Sequence, residues 1–512
     1  MHFGLFVPIS FALSLIPRTT TTTTTLTATT TSTPMTMTTG SVRQAATDDL
    51  VAQASSWCAS HGVLMGARDP FTRVPLGDWI YEPAPFSLFP TDFPKSAFEQ
   101  AYRMGKPFNH VVHQAAQSSS WLLDEAIATA AKGDPEFTGR MVHLANEVLA
   151  KGRRQKIVLG ILRSDYMLHL HDTPLQVELN TIASSFGCLS SKVTKMHAEL
   201  HGKDNQDGSL PINQADEGIA KGLALALQEY RRQFPDSNAV VVMVVQPGET
   251  NSCDQRDLEF LLNAKYGVKL VRRTLFELAS CPVNDAYELE LEPVGALVAG
   301  VVYYRAGYTP DDYPTDTEWN GRATIEHSTA IKCPDVFYHT FGAKKVQQAL
   351  ATPGTLEMFA RSPEDATLLS SCFAGLYALG EGDDQDVVDK ALADPHAFVL
   401  KPQREGGGNN LYDNDLVEAL QSMSYQDRGG YILMQKILPP TISGSLVRRG
   451  KVVYDGDCVC ELGVFGVSLR EYDSDRILMD EVVGHILRAK PVLTDEGGVA
   501  AGYAFLSSPK LT

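Results

Sequence analysis

The sequence predicts an α/β protein, built either as two or three folded units or as one large body carrying an inserted domain. Three observations point there. The chain has 512 residues, more than one hydrophobic core usually serves. Ala239 to Val245 is a continuous, valine-rich apolar run, as in a strand buried on both faces. Strand-like runs around it alternate with helical stretches, which is the pattern of a βαβ unit with a parallel sheet.

The elements follow in chain order. Phe3 to Ile16 is mostly apolar and ends at Pro17 and Arg18; threonine then fills 15 of the 21 positions from Thr19 to Thr39. Threonine runs cannot bury a core, so residues 1–46 read as a disordered leader. The apolar stretch resembles a signal-peptide core but has no basic residue before it, and it is short for a membrane span. It fits equally an organelle-targeting leader, or a chain that truly starts at Met35 or Met37; the cytoplasm is the expected compartment. From Asp48 the sequence is globular. Ser118 to Ala150 has helical spacing, with Trp121, Leu122, Ile127, Met141, Leu144 and Val148. Lys156 to Leu162, Leu175 to Leu179, Gly267 to Val271 and Ala296 to Tyr304 read as further strands, with Asp254 to Ala264 helical between them. Asn205 to Gln214 reads as a loop. Lys344 to Leu350 and Asp365 to Leu379 read as helices. Ala397 to Leu400, Tyr431 to Met434 and Lys451 to Tyr454 read as strands.

Composition narrows the function. Hydrophobic residues make up 44% and charged residues 21%, ordinary globular values. A net charge of −17 argues against a nucleic-acid partner but not against a phosphate held by a few local cations. The eight cysteines are scattered and fit neither a disulfide scaffold nor a zinc pattern. Cys458 and Cys460 form a lone C-x-C pair, read as ordinary reduced thiols rather than a soft-metal site.

Four segments carry possible chemistry. Lys401-Pro-Gln-Arg-Glu-Gly-Gly-Gly-Asn-Asn410 follows a strand-like run. Its glycines let backbone N–H groups approach an anion, Lys401 and Arg404 add positive charge, and Glu405 adds a hard oxygen. The run suits a nucleotide triphosphate without being a Walker A loop, or it is a flexible surface turn. Glu178 and Asn180 lie two apart on a strand and share a face, so they can hold one Mg²⁺, or simply form a solvated face. The Ser184-Ser185 turn after them offers donors for a substrate carboxylate. Arg163, read at the end of a strand, either clamps a carboxylate or forms a structural salt bridge. His485 to Lys490 and Asp495 to Gly502 fit a mobile lid or a loose tail, with Arg488 and Lys490 favouring the lid. There is no G-x-S-x-G elbow and no H-E-x-x-H helix. The His169-x-His171 pair reads as ordinary surface or core histidines.

Together these segments resemble eukaryotic glutathione synthetase, a member of the ATP-grasp superfamily. The resemblance rests on Arg163 to Met167, Glu178 to Ile182 with Ser185 to Gly187, and Asp254 to Arg256. It continues through Arg305 with Gly307 and Tyr308, Lys332 to Asp335, Lys344 to Gln348, Lys401 to Asn410, Glu461 to Gly463 and Gly497 to Gly502. The motifs stand in the family's order over residues 50 to 512, and the Lys401 to Asn410 run is the most specific.

The resemblance implies an ATP-grasp body from residues 47–238 and 342–512, with a three-layer substrate domain, 239–341, inserted between. It implies that ATP phosphorylates the cysteinyl carboxylate of γ-glutamylcysteine, and that glycine attacks the acyl phosphate to give glutathione, ADP and phosphate. Carried over by position, Glu178, Asn180 and Glu405 are the Mg²⁺ ligands. Glu178, Lys344, Lys401, Pro402, Gln403, Arg404, Glu405, Gly406, Gly407, Gly408, Asn409, Asn410 and Tyr412 are nucleotide positions, as are Met434, Gln435, Lys436, Ile437, Glu461, Lys490 and Glu496. Arg163, Ile182, Ala183, Ser184, Ser185, Glu249, Thr250, Asn251, Gln255, Arg305, Ala306, Gly307, Tyr308, Arg488, Val499 and Ala500 are peptide-substrate positions. Arg163, Arg488 and Lys401 are the catalytic residues. A homodimer is implied, with no membrane role for the mature protein. Three departures stand out: Gln435 for an acidic residue, Ala306 for Asp, and Glu496 for Asp. Two rivals remain: a ligase that takes β-alanine instead of glycine, and a nucleotide-binding regulator without turnover.

Overall fold

A computed structural model describes residues 39–512 apart from 70, 71, 73, 78, 203–207, 292–296, 381, 383, 406, 407, 473, 475 and 496. The threonine-rich part of the leader therefore lies outside the described residues, while residues 39–46 open the helix Thr39–His61. Residues 47–512 form one compact unit. No helix among the described residues is long and apolar enough to cross a membrane.

Residues 239–333 build the parallel sheet that the valine run predicts. Ala239–Val244 is buried at every position and runs parallel to Leu270–Arg273 on one side and Leu297–Tyr304 on the other. The helix Ser252–Tyr266 makes the crossover between the first two. Ile331–Cys333 adds a parallel edge, and Glu290–Leu291 pairs antiparallel with the Leu297–Tyr304 strand. Carboxyl ends of such strands are where ligands bind, and Glu249 to Gln255 and Arg305 to Tyr308 follow two of them.

The main sheet differs from the expectation of short C-terminal strands. It has seven strands, in the order Ile442–Arg448, Phe86–Ser87, Phe505–Ser507, Ile477–Pro491, Lys451–Glu471, Ile157–His169, Thr173–Asn180. Its pairings are antiparallel, except that Phe505–Ser507 runs parallel to Phe86–Ser87. Lys451–Glu471 spans 21 residues and pairs along most of its length with Ile477–Pro491 and Ile157–His169. Two site expectations change. Arg163 is interior to a strand of 13 residues, opposite Asn180 on one side and Phe465 on the other, and not at a strand end. His485 to Lys490 is no lid: it is largely buried strand. Just before it, Gly484 is needed for packing, since a Cβ there would lie 2.4 Å from Asn213 Oδ1.

A three-stranded antiparallel sheet, Leu376–Ala378, Tyr431–Gln435 and Phe398–Pro402, carries helices Gln385–Ala393 and Asp413–Ser422 over its own small core of Leu379, Val388, Leu400, Leu416, Leu420 and Leu433. The expected helix over 365–379 is shorter, Pro363–Ser370, with Ser362 accepting from the Asp365 amide as its cap. The chain then turns and joins the small sheet, where Gly375 bonds Gln435. The 118–150 stretch is helical but interrupted at Asp134, whose carboxylate accepts from the Thr138 amide and hydroxyl.

Candidate active site

The small sheet and the main sheet face each other across a cavity of about 480 Å³. From the main sheet come Arg163, Glu178, Asn180, Glu461, Arg488 and Lys490. From the small sheet and its connections come Lys401, Glu405, Asn410 and Tyr412, then Met434 to Ile437. The Ile182 to Phe186 turn and the Gly497 to Ala501 turn close two more sides. Residues some 340 positions apart in sequence thus share one cleft, although the sequence gives no sign of which strands are neighbours.

The charged groups are built in layers. Lys344, at the start of helix Lys344–Leu350, lies 2.9 Å from Glu405 Oε1 and 3.4 Å from Glu178 Oε2. One buried ammonium therefore joins the two carboxylates. Lys401 points across the cleft, where its Nζ donates to the Val177 carbonyl at 2.8 Å. Desolvation works to raise the Glu178 pKa, but Lys344, Lys401, Arg163 and Arg488 together outweigh it and hold the group down at about 2. Glu405 is pushed the other way, to about 7, by desolvation and by the Glu178 charge, with Lys344 opposing. Desolvation lowers the Lys401 pKa, whereas the two carboxylates more than offset desolvation at Lys344.

Glu178, Asn180 and Glu405 offer two carboxylates and a carboxamide oxygen. The Asn180 amide nitrogen is spent on Arg163 O and Asp165 Oδ2, at 3.3 and 3.0 Å, so its carbonyl oxygen is the atom it could offer a cation. Hard oxygens of this kind suit Mg²⁺, which usually keeps waters and substrate phosphates in its shell. Among the described residues, no group of three His, Cys, Asp or Glu side chains is placed to hold a metal. A metal here needs the carboxamide and the nucleotide.

Other predicted positions serve the site indirectly. Arg404 turns away from this cleft to Asp134, with bonds of 2.5 and 2.8 Å, and lines an adjacent cavity of about 860 Å³ with Asn409, Ala306 and Tyr308. Glu405 and Tyr308 line both cavities. Gln403 is buried and accepts the Lys345 amide; Pro402 is in the sheet opposite Tyr431. Gly408 is exposed in the left-handed region, whereas Gly406, Gly407 and Glu496 lie outside the described residues. Lys436 lies over the Tyr412 ring, and Lys490 donates to the Asp495 carbonyl. His169 receives the Leu438 amide at Nδ1, which accounts for one half of the H-x-H pair.

The substrate positions gather at the ends of the parallel strands. Glu249 accepts from the Asn251 amide and from Gln255 Nε2. Thr250 is buried against Arg68, and its carbonyl accepts the Gly66 amide. Buried Asn251 Oδ1 and Gln255 Oε1 have no bonded partner among the described residues. Arg305 pairs with Asp254, which also accepts the amides of Phe186, Cys188 and Leu189. That carboxylate ties the Ser184-Ser185 turn, where Ala183 and Phe186 have positive φ, to the inserted sheet. Ser184 Oγ donates back to the Asn180 carbonyl, and the Gly307 amide donates to Asp312. Val499 is buried in the C-terminal turn, with Ala500 beside it. Sequence reasoning missed Asp165, Asp254 and Val177. The first two stood inside quoted motifs, while a backbone carbonyl leaves no trace in a sequence.

The model of the family described as eukaryotic glutathione synthase, ATP binding domain, matches residues 44–511. The chain is 38% identical over 470 residues to the chloroplastic glutathione synthetase of Arabidopsis thaliana, covering 90% of this chain and 84% of that one. It is 36% identical to the glutathione synthetase of Dictyostelium discoideum, with 91% and 99% covered, and 37% identical to that of Homo sapiens, with 90% and 96% covered. Among solved structures, a glutathione synthetase-like effector of Globodera pallida matches with a TM-score of 0.71 at 22% identity, over 91% of this chain and 97% of that one, which shows the shared fold.

Proposed function

The chain belongs to the eukaryotic glutathione synthase family, and from that premise we propose how its cleft carries out the family's reaction. The protein is an ATP-dependent carbon–nitrogen ligase that joins γ-glutamylcysteine to glycine through an acyl phosphate. The observation that carries the site assignment is the convergence of Glu178, Asn180 and Glu405 beside Lys344 and Lys401 in one cleft between two sheets.

The chemical problem is electrostatic. A triphosphate and a carboxylate must meet, and cations have to offset their repulsion. Lys401, Lys344 and Lys490 serve the nucleotide, beside Tyr412 and the Met434 to Ile437 backbone. Arg163 and Arg488 hold the dipeptide carboxylate that accepts the phosphoryl group, with Lys401 as the third catalytic residue. Glu178, Asn180 and Glu405 would hold Mg²⁺, which offsets phosphate charge when bound. Glu249, Asn251, Gln255 and Arg305 bind the far end of the dipeptide, and the free oxygens of Asn251 and Gln255 suit an ammonium group. Val499 and Ala500 shape the acceptor side. Glycine needs only to be placed, with its amine free, beside the acyl phosphate. No enzyme nucleophile is called for.

We take 47–238 and 342–512 as the catalytic body and 239–341 as the substrate domain; the separate parallel sheet supports this. We read the assembly as a homodimer, which light scattering on the purified protein tests. We place it in the cytoplasm. Eight free cysteines support a reducing compartment, and the chloroplastic plant relatives keep an organelle in view.

The decisive experiment is phosphate release from ATP and γ-glutamylcysteine, with and without glycine. Sustained release only with glycine is expected. Release indifferent to glycine, or none under either condition, would refute the ligase reading, and turnover with β-alanine in place of glycine would reassign the acceptor.

A further inference from the structure

Asp165 has been given no role so far, yet it is fully buried on the sixth of the seven strands of the main sheet. Its Oδ1 accepts Arg163 Nε at 2.7 Å. Its Oδ2 accepts Arg163 Nη2 at 2.8 Å, Arg488 Nη2 at 2.8 Å and Asn180 Nδ2 at 3.0 Å. One carboxylate therefore grips side chains from three strands, Ile157–His169, Thr173–Asn180 and Ile477–Pro491.

The fourth strand makes room for this. Lys451–Glu471 runs between the two arginine-bearing strands and places Gly463 directly opposite Asp165. A Cβ on Gly463 would lie 2.5 Å from Asp165 Oδ1 and 2.9 Å from Arg163 Cδ. Only a residue without a side chain lets the cluster cross that strand.

The donors left over are the informative part. Asp165 takes the Nε–Nη2 edge of Arg163, whose Nη1 has only a 3.4 Å contact with the Ser185 carbonyl. Arg488 shares its Nη2 between Asp165 and Glu461, and its Nε has no bonded partner among the described residues. Two guanidiniums side by side repel, and each can rotate about its long stem. A shared carboxylate cancels part of that repulsion and fixes both planes.

We propose that Asp165 is a positioning residue: it aims Arg163 and Arg488 at the carboxylate that accepts the phosphoryl group. This rests on the ligase reading above.

The test is steady-state kinetics of full-length Asp165→Asn against wild type, varying γ-glutamylcysteine and ATP separately. The expected result is a rise of about tenfold or more in KM for the dipeptide and a comparable fall in kcat, with KM for ATP within about threefold. A purely structural ion pair would lower the thermal midpoint, with kcat per folded site and both KM values at wild-type levels; that result overturns the proposal, as does an equal rise in both KM values. If Asp165→Asn does not accumulate as folded protein, Gly463→Ala decides, because its methyl displaces the carboxylate and the Arg163 stem that it holds without removing either charge. The same split in KM is expected there, and an unchanged dipeptide KM overturns the proposal. A wild-type enzyme inactive toward γ-glutamylcysteine would instead sink the ligase reading, and this proposal with it; an active wild type with an unaffected Asp165→Asn sinks this proposal alone.

Discussion

The two walls of the cleft hold their charges differently. On the main-sheet wall, Arg163, Asp165, Asn180, Glu461 and Arg488 are bonded to one another across four adjacent strands. On the small-sheet wall, Lys401 reaches over to the Val177 carbonyl, and Glu405 finds its cation in Lys344 on a separate helix. The contrast is sharpest in two carboxylates that share Lys344: Glu178 is held at about 2, Glu405 near 7. The main-sheet wall is charged and oriented before any ligand arrives. The loop wall carries a carboxyl poised near neutrality, so its charge responds to what lies beside it.

The largest effect expected from disturbing this contrast is on the ordered wall. Glu178→Gln removes the carboxylate that four cations surround. Glutathione formation should fall about 10²–10³-fold or more, with the circular dichroism spectrum unchanged. Wild-type turnover would remove Glu178 from the metal site.

Lys344→Met strikes the link between the walls. Two carboxylates would then face each other without their shared ammonium, and turnover should fall about 10–100-fold. The Glu405 pKa should climb further, so the acid limb of the pH profile of kcat/KM for ATP should move to higher pH. An unmoved acid limb would show that Glu405 does not govern it.

A smaller effect isolates the loop wall. With a pKa near 7, Glu405 is largely protonated at pH 6. A ligand that needs the carboxylate must release that proton, so affinity for Mg·ATP weakens as pH falls below 7. Calorimetry in buffers of different ionisation enthalpy should show about 0.9 proton released at pH 6 and almost none at pH 8.5. Glu405→Gln should abolish the release. The sign for stability follows from the same linkage. A carboxyl raised above its unfolded value costs stability as pH climbs from about 4.5 to 7, whereas the depressed Glu178 loses its contribution only as pH falls from about 4.5 toward 2.

The smallest effect concerns Gln435, where the resemblance leads one to expect an acidic residue. Its amide donates to the Gly375 carbonyl and its Oε1 accepts the Gly375 amide, a role that a carboxylate fills as well. Gln435→Glu should keep KM for ATP within about threefold. A larger change would mean that the side chain, and not the backbone, reads the nucleotide.

How far the sequence could be read varies by element. The valine run at Ala239–Val244 declared a buried parallel strand because a strand covered on both faces has no polar side to show. Lys451–Glu471 and Ile477–Pro491 were not legible as long strands, since glycines, charged residues and single polar positions interrupt their pattern. Those interruptions belong to neighbours: Gly466 lies against Asn109, Gly463 against Asp165, and Gly484 against Asn213. Small residues that keep a close approach open look, in one dimension, like flexibility, and Arg488 and Lys490, standing shortly before the Gly497-Gly498 pair, were read with it as part of a lid although they sit in a strand.

By itself the sequence determined the chemistry on offer. Glu178 and Asn180 share a strand face, and Lys401, Glu405 and the glycines share a loop, because local periodicity and chain adjacency settle both. Tertiary structure alone decided which of these groups meet and in what charge state. Only the tertiary packing of a strand, a helix and a loop brings Glu178, Lys344 and Glu405 together, and that meeting, in a desolvated cleft, drives two chemically identical carboxyls in opposite directions. A carboxyl's acidity depends on the charges and water within a few ångströms, and those are set by contacts between distant segments.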